Sequence, residues 1–196
     1  MDKSIWKTSF NLFGKYILCL TMAFIICASL FMVFSATSAD GQKVEGAAYV
    51  VMMVIAEIRS LGTIILFMNG TVYYIADSDA NKVKFGRIEP DKFKGLKLSV
   101  VPTAFALCTY IALILGKIGI LGDGALVFFR TTNYHLYAYN QILFGGKTAL
   151  AEVGWGSVAA AVLTVVVVPV ICHISYTLGF KGINVAEKLI FKKESK

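Results

Sequence analysis

Long runs without a charged residue alternate with short charged segments along this chain. The four runs extend over residues 16–39, 60–76, 98–116 and 153–180. A helix needs about 20 consecutive, mostly apolar residues to cross a bilayer. Three of the runs exceed the practical limit of about 18, and the run at 60–76 falls one short of it. The pattern therefore predicts a membrane protein with four transmembrane helices.

The fold class predicted from these runs is all-α, a polytopic transmembrane four-helix bundle that forms one domain over residues 1–196. We expect the helices at about residues 16–36, 46–76, 98–120 and 154–180. The first helix follows Lys15 and is expected to be retained, because its uncharged run is longer than the apolar core of a signal peptide.

Two segments outside the expected helices have a distinctive composition. The connection at about 121–153 mixes aromatic and polar residues, which favours an interfacial or partly re-entrant segment on the outer side of the membrane. An external binding surface is the alternative for this connection. The tail at 181–196 mixes lysines with apolar residues and is expected to lie along the inner membrane surface. A contact with a protein partner is the alternative for this tail.

The distribution of charge sets the expected orientation. Only 16% of the residues are charged and 57% are apolar, which argues against a soluble globular domain. Of the 19 Lys and Arg residues, 14 lie in three segments that share one side if the helices alternate, at 3–15, 82–97 and 181–196. The positive-inside rule then predicts a cell-membrane protein with both termini in the cytoplasm.

The same basic segments indicate the partners of the chain. Each of these segments lies beside an expected helix. The net charge of the chain, +7, therefore fits anionic lipid headgroups at the cytoplasmic face better than nucleic acid. No nucleophile-elbow, zinc-protease or phosphate-loop motif is present in the sequence. The sequence has two histidines, His135 and His173, which argues against a multi-histidine metal or haem site within one chain, and no cofactor is expected. The chain is therefore more typical of a non-enzymatic membrane component than of an enzyme.

Glu57 and Arg59 are the first candidate site residues, because ionised groups within a transmembrane helix are expensive and usually functional. Two positions apart, they point to different sides of a helix and cannot pair face to face. We expect them at the outer interface, with the apolar stretch at 46–56 packed against the aromatic connection. Burial against partners within the bundle is the alternative.

Asn69 and His173 are the other candidate binding residues. Each is expected to hydrogen-bond a neighbouring helix, and His173 also has the chemistry to coordinate a ligand or carry a proton. Small residues at 154–161 predict a close helix contact, either within the chain or between copies of it in a homo-oligomer.

Two classes of function remain open from the sequence. The favoured one is an accessory or transport-related component of a membrane complex, with a protein partner or a second copy of the chain. The alternative is an intramembrane enzyme that acts on a lipid or lipid-linked substrate. Such an enzyme needs an acid and a base close together, whereas the only candidates, Glu57 and His173, are expected toward opposite leaflets.

Overall fold

The computed structural model describes residues 3–37, 47–145 and 147–183. These residues are predominantly helical and include no strand, which confirms the all-α prediction. Four helical segments are long and apolar enough to cross a membrane, namely Lys3–Ile26, Tyr49–Lys84, Val100–Lys117 and Trp155–Phe180. Residues 38–46, between the first two long helices, and the part of the basic tail after residue 183 lie outside the described residues.

Eight α-helices and two short 3-10 turns make up the described part of the chain. The helices are α1 (Lys3–Thr37), α2 (Ala47–Lys84), α3 (Lys94–Leu98), α4 (Val100–Lys117), α5 (Gly124–Thr132), α6 (Tyr137–Phe144), α7 (Trp155–Ala160) and α8 (Leu163–Phe180), and the 3-10 turns are Tyr134–Leu136 and Leu150–Glu152. Among the long helices, α1 packs on α2 and α4, and α8 packs on the same two.

Helix α1 begins at Lys3 rather than near residue 16, because the residues before Lys15 already bury one face. Leu12 is fully buried, and the Ser9 hydroxyl accepts a hydrogen bond of 3.0 Å from the backbone N–H of Val101. That N–H group lies in the first turn of α4 and therefore has no hydrogen-bond partner within its own helix. Lys15 itself lies against α2, where its Nζ is 2.5 Å from Thr71 Oγ1.

Helix α2 continues past residue 76 to Lys84 and has a regular buried stripe. The fully buried positions recur every fourth residue, at Ala56, Ser60, Ile64, Met68, Val72 and Ala76. Asp79 extends the same face and is also buried. Lys82 and Lys84 occupy the last turn, where positive charge favours the negative end of the helix dipole. The first residues of the basic segment 82–97 therefore belong to helix α2.

The segments expected as the third and fourth membrane helices are each interrupted. A turn at Ser99 separates the short helix α3 from α4, whose regular part ends at Lys117. A second turn, at residues 161–162, separates α7 from α8. Pro169 lies within α8, so the interruption is not at the proline.

A contact from outside the helix explains the turn between α7 and α8. The Tyr139 hydroxyl donates a 2.7 Å hydrogen bond to the carbonyl of Ala160. The backbone N–H of Thr164, the regular helical partner of that carbonyl, donates to Ala161 instead. The Thr164 hydroxyl also donates to Ala161, at 2.8 Å. Side-chain competition of this kind bends or breaks a helix.

Residues 124–144 form a helical hairpin, composed of α5, the 3-10 turn Tyr134–Leu136 and α6. Helix α5 returns along α4, since Ala125 packs on Gly116 near the end of α4. Asn133, which follows α5, hydrogen-bonds Thr109 in the middle of α4. The connection thus turns back into the helix assembly instead of lying across its end.

The second half of the hairpin runs along the beginning of α2. Ala138 at the start of α6 contacts Glu57, and Ile142 further along α6 shares a surface pocket with Tyr49 and Val50 of α2. Phe129 and Phe144, one from each helix of the hairpin, are fully buried and meet edge to face, with ring centroids 5.9 Å apart. The aromatic residues of this connection therefore contribute in part to a core.

The two glycines of the 154–161 segment are not at the closest helix contacts. A Cβ atom at Gly154 or Gly156 would meet nothing within 4 Å. At Gly95 of α3 it would lie 2.8 Å from the Cys172 carbonyl oxygen, and at Gly179 of α8 it would lie 2.5 Å from the Tyr73 carbonyl oxygen. Backbones therefore approach most closely where α8 meets α2 and α3.

Candidate functional site

The tip of the hairpin, residues 133–136, brings polar side chains into the interior. Asn133 and His135 are fully buried, and Asn140 is nearly so. Asn133 Nδ2 donates to Thr109 Oγ1 at 3.1 Å, and Asn140 Nδ2 donates to the Asn133 carbonyl at 2.9 Å. These bonds join the tip to α4 and to α6, so that the turn has a defined conformation.

His135 faces the ring of Tyr16 on α1. The two rings meet edge to face, with centroids 5.6 Å apart. Both ring nitrogens of His135 and the hydroxyl of Tyr16 lack a hydrogen-bond partner among the described residues. The Oδ1 atoms of Asn133 and Asn140 lack one as well. Buried polar atoms are nearly always paired, so such a group of donors and acceptors is unusual. The tip therefore has the chemistry to bind a small polar molecule.

Burial lowers the pKa of His135 to about 3. The unfolded chain binds a proton on this histidine as the pH falls through about 6.5, whereas the folded protein does not until about pH 3. We therefore expect the free energy of unfolding to be independent of this group above pH 7. Between pH 6.5 and 3 it should fall with decreasing pH, by at most about 1.4 kcal/mol per pH unit.

Unfolding of the detergent-solubilised protein at pH 7.5, 6.5 and 5.5 measures this effect. His135→Asn should flatten the dependence, while His173→Asn should retain it, because this variant keeps His135. Equal slopes for the wild-type protein and His135→Asn would contradict the prediction.

Glu57 holds the hairpin from the side of α2. Its Oε2 accepts a 2.8 Å hydrogen bond from the backbone N–H of Ala138, in the first turn of α6. A carboxylate at this position satisfies one of the unpaired N–H groups of the helix and faces the positive end of its dipole. The half-buried Glu57 thus has a definite structural partner in the aromatic connection.

Arg59 and Asn69 are not part of this contact. The Arg59 side chain is exposed and forms no ion pair with the described residues. Asn69 is half-buried beside the buried stripe of α2 and has no hydrogen bond with the described residues. The structure therefore separates Glu57 from the other candidates on the same helix.

Substitutions at Glu57 should destabilise the protein in proportion to the contact that is lost. Glu57→Ala is expected to lower the free energy of unfolding by about 1–2 kcal/mol, because the N–H of Ala138 loses its acceptor. Glu57→Gln should cost less, because the amide oxygen still accepts. Arg59→Gln, the matched exposed control, should change it by at most about 0.5 kcal/mol. Chemical unfolding in detergent measures all three, and equal losses at both positions would refute the capping role.

Backbone carbonyls bind the cationic side chains at the base of the hairpin. Arg130 donates to the carbonyls of Gly145 and Lys147, and Lys117 Nζ donates to that of Leu150 at 2.8 Å. Both cations thus satisfy carbonyl groups where α6 and the 3-10 turn Leu150–Glu152 leave them unpaired. Their bonding explains the defined course of this connection without an external ligand.

A second polar cluster lies at the opposite end of the molecule, where α1 begins and α2 and α8 end. We call this the basic end. Asp79 is buried, and its Oδ2 is 2.6 Å from Lys94 Nζ and 3.0 Å from the Tyr176 hydroxyl, which donates to it. Lys82 Nζ lies 3.7 Å from Oδ1. One carboxylate thus joins helices α2, α3 and α8.

His173 lies on α8 beside this cluster and lines a cavity of about 610 Å³. Its Nδ1 is buried and has no hydrogen-bond partner among the described residues. The rest of the lining comes from the segment before α3 and from the end of α8, namely Pro90, Asp91, Lys92, Tyr176, Thr177, Phe180 and Lys181. Of the four residues predicted as a site, His173 alone lines this cavity.

Asp79 and the hairpin tip were not predicted from the sequence. Asp79 stands among charged residues after the apolar run, and only the four-residue spacing from Ala76 and Val72 places it on the buried face. His135 stands in a polar connection, where nothing local indicates burial. His135 is buried only because the hairpin folds back along α4.

The fold defines an all-helical protein with four helices long and apolar enough to span a membrane. Comparisons of the chain with protein-family models, curated proteins and solved structures found no match. The function must therefore be argued from the chemistry of the two polar clusters.

Proposed function

We propose that the protein is a multi-pass membrane protein of the transport-related or accessory class, and that the hairpin tip is its functional centre. The observation that carries this proposal is the complete burial of His135, with both ring nitrogens unpaired among the described residues, at the level of the middle of α4. Non-helical backbone at membrane depth is tolerated only inside protein or beside a water-filled path. Such segments form the solute sites of many transporters.

The outer surface supports membrane insertion. Large apolar side chains are exposed on every long helix, including Phe10 on α1, Leu66 on α2, Ile111 on α4 and Ile174 on α8. Exposed apolar side chains in this number are unfavourable in water, and a bilayer would cover them. The basic end then faces the cytoplasm by the positive-inside rule, and the open base of the hairpin faces outward.

The enzymatic alternative receives less support. Glu57 binds the hairpin, whereas His173 lines the cavity at the basic end. Asp79 accepts a hydrogen bond from Tyr176, which lies three positions after His173 on α8, and so marks the level of His173 on α2 to within about one helical turn. Asp79 lies 22 positions beyond Glu57 on α2, or about 33 Å at 1.5 Å per residue. An acid and a base so far apart cannot act on one bond.

Cysteine accessibility in intact cells tests the proposal. In a background without native cysteines, Lys147→Cys should react with an impermeant thiol reagent added outside, and Lys84→Cys should react only after the membrane is opened. Thr132→Cys, beside the tip, should react with a small charged reagent because a transport site is reached by water. Ile142→Cys is the control, since this exposed side chain would face lipid.

Two results would count against the proposal. Reversed labelling at residues 147 and 84 would overturn the orientation. Thr132→Cys that resists the small reagent from both sides, while Lys147→Cys reacts normally, would make the hairpin a packing element without a transport role.

A further inference from the structure

The cavity at the basic end has two kinds of wall. One is apolar, formed by Pro90 together with the stacked rings of Tyr176 and Phe180, whose centroids are 6.1 Å apart. The other is cationic, with Lys92 at one side and Lys181 at the end of α8. A volume of about 610 Å³ falls within the range of small-molecule sites. This combination is suited to a ligand with a charged head and an apolar chain.

The charges of the cavity favour an anion. Lys92 and Lys181 are exposed and form no ion pair with the described residues. Asp91 is the acidic group of the lining, but its Oδ2 is 2.6 Å from Lys97 Nζ and its Oδ1 accepts from the N–H of Phe93. The hydrogen bond from Lys97 is the main reason that the pKa of Asp91 is lowered. Lys97 thus offsets the one acidic charge, and the two free lysines remain available.

The cavity extends along α8 from Lys181 to His173, eight positions or about 12 Å apart. The buried Nδ1 of His173 offers a polar contact at its inner end. Thr177, midway between them, uses its hydroxyl on the carbonyl of His173 and so does not compete for a ligand. A headgroup between the lysines would therefore leave its chain directed along the rings of Tyr176 and Phe180.

We propose that this cavity binds the phosphate headgroup of an anionic phospholipid, with Lys92 and Lys181 as its cationic contacts. The lipid origin of the phosphate rests on the proposed membrane orientation, which places the basic end at the inner leaflet, where anionic lipids attract lysines. A soluble phosphate ester shares the headgroup chemistry and is distinguished by experiment. The site is independent of the hairpin tip and of any transport role.

Native mass spectrometry of the full chain in a neutral detergent tests the site. Dioleoyl phosphatidylglycerol is expected to bind once per chain, and dioleoyl phosphatidylcholine, with the same chains but no net charge, about tenfold more weakly. Glycerol phosphate, which has the head without the chains, should also bind more weakly. Because the protein is in detergent, the result does not depend on its orientation in a membrane.

Matched variants separate the cavity from general attraction to a basic surface. Lys92→Gln with Lys181→Gln should weaken phosphatidylglycerol binding about tenfold. Lys84→Gln with Arg87→Gln removes the same charge from the basic end outside the cavity lining and should change it less than threefold. Thr177→Phe should abolish binding by filling the cavity while both lysines remain. Melting temperatures without lipid establish that each variant is folded.

Three outcomes would overturn the inference. Equal losses in the two double variants would show attraction to the surface and not a site. Undiminished binding by a folded Thr177→Phe would place the lipid elsewhere. Glycerol phosphate that binds as tightly as phosphatidylglycerol would make the occupant a soluble phosphate ester.

Discussion

Asp79→Asn is expected to lower the free energy of unfolding by about 3 kcal/mol or more. The substitution keeps the size of the side chain and leaves an oxygen that can accept from Tyr176. It removes the negative charge that Lys94, only 22% exposed, contacts at 2.6 Å. A largely buried cation without its counter-ion is the costly part of a broken ion pair. Thermal or chemical unfolding of the protein in detergent measures the loss.

Asp77→Asn is the matched control for this prediction. Asp77 lies two positions earlier on α2, is exposed, and forms no ion pair with the described residues. Its substitution should change the free energy of unfolding by at most about 0.5 kcal/mol. Asp79→Asn combined with Lys94→Met should recover part of the loss, because the unpaired charge is then gone. A double variant as unstable as the sum of the single ones would contradict a direct interaction.

The apolar pattern predicted the helices because burial and membrane insertion both select long apolar runs. It placed their ends less well. Helix α2 continues to Lys84 because Asp79 finds partners on α3 and α8, and no property of the apolar run indicates those partners. Similarly, α1 begins at Lys3 because Ser9 bonds the start of α4. Helix ends depend on tertiary contacts, whereas their middles depend on local hydrophobicity.

A residue of the candidate site could be predicted from the sequence only where its own placement in an apolar run costs free energy. Glu57 was identified because a carboxylate in an apolar run needs a partner, and the expected packing of its helix against the aromatic connection fits the bond to Ala138. His135 was not identified, because a histidine in a polar connection carries no such cost until the connection folds inward. The sequence therefore indicated the anchor of the hairpin but not its tip.

Gly179→Ala is expected to lower the free energy of unfolding by about 3 kcal/mol, the upper part of the range for overpacking. The new Cβ would lie 2.5 Å from the carbonyl oxygen of Tyr73 and 2.9 Å from the Cβ of Ala76. The nearer atom belongs to the backbone of α2, which cannot rotate away as a side chain can. Helices α2 and α8 would have to move apart, and the core they share with α1 would lose contacts.

Gly62→Ala on α2 is a control with the opposite expected sign. A Cβ there meets nothing within 4 Å, so alanine should raise the free energy of unfolding by about 0.5–1 kcal/mol through its better helix propensity. Adding Ala76→Gly to Gly179→Ala removes the second-nearest contact but leaves the Tyr73 carbonyl in place. We therefore expect only partial recovery of the unfolding free energy measured in detergent. Full recovery would show that side-chain crowding, and not the approach of the two backbones, requires glycine at 179.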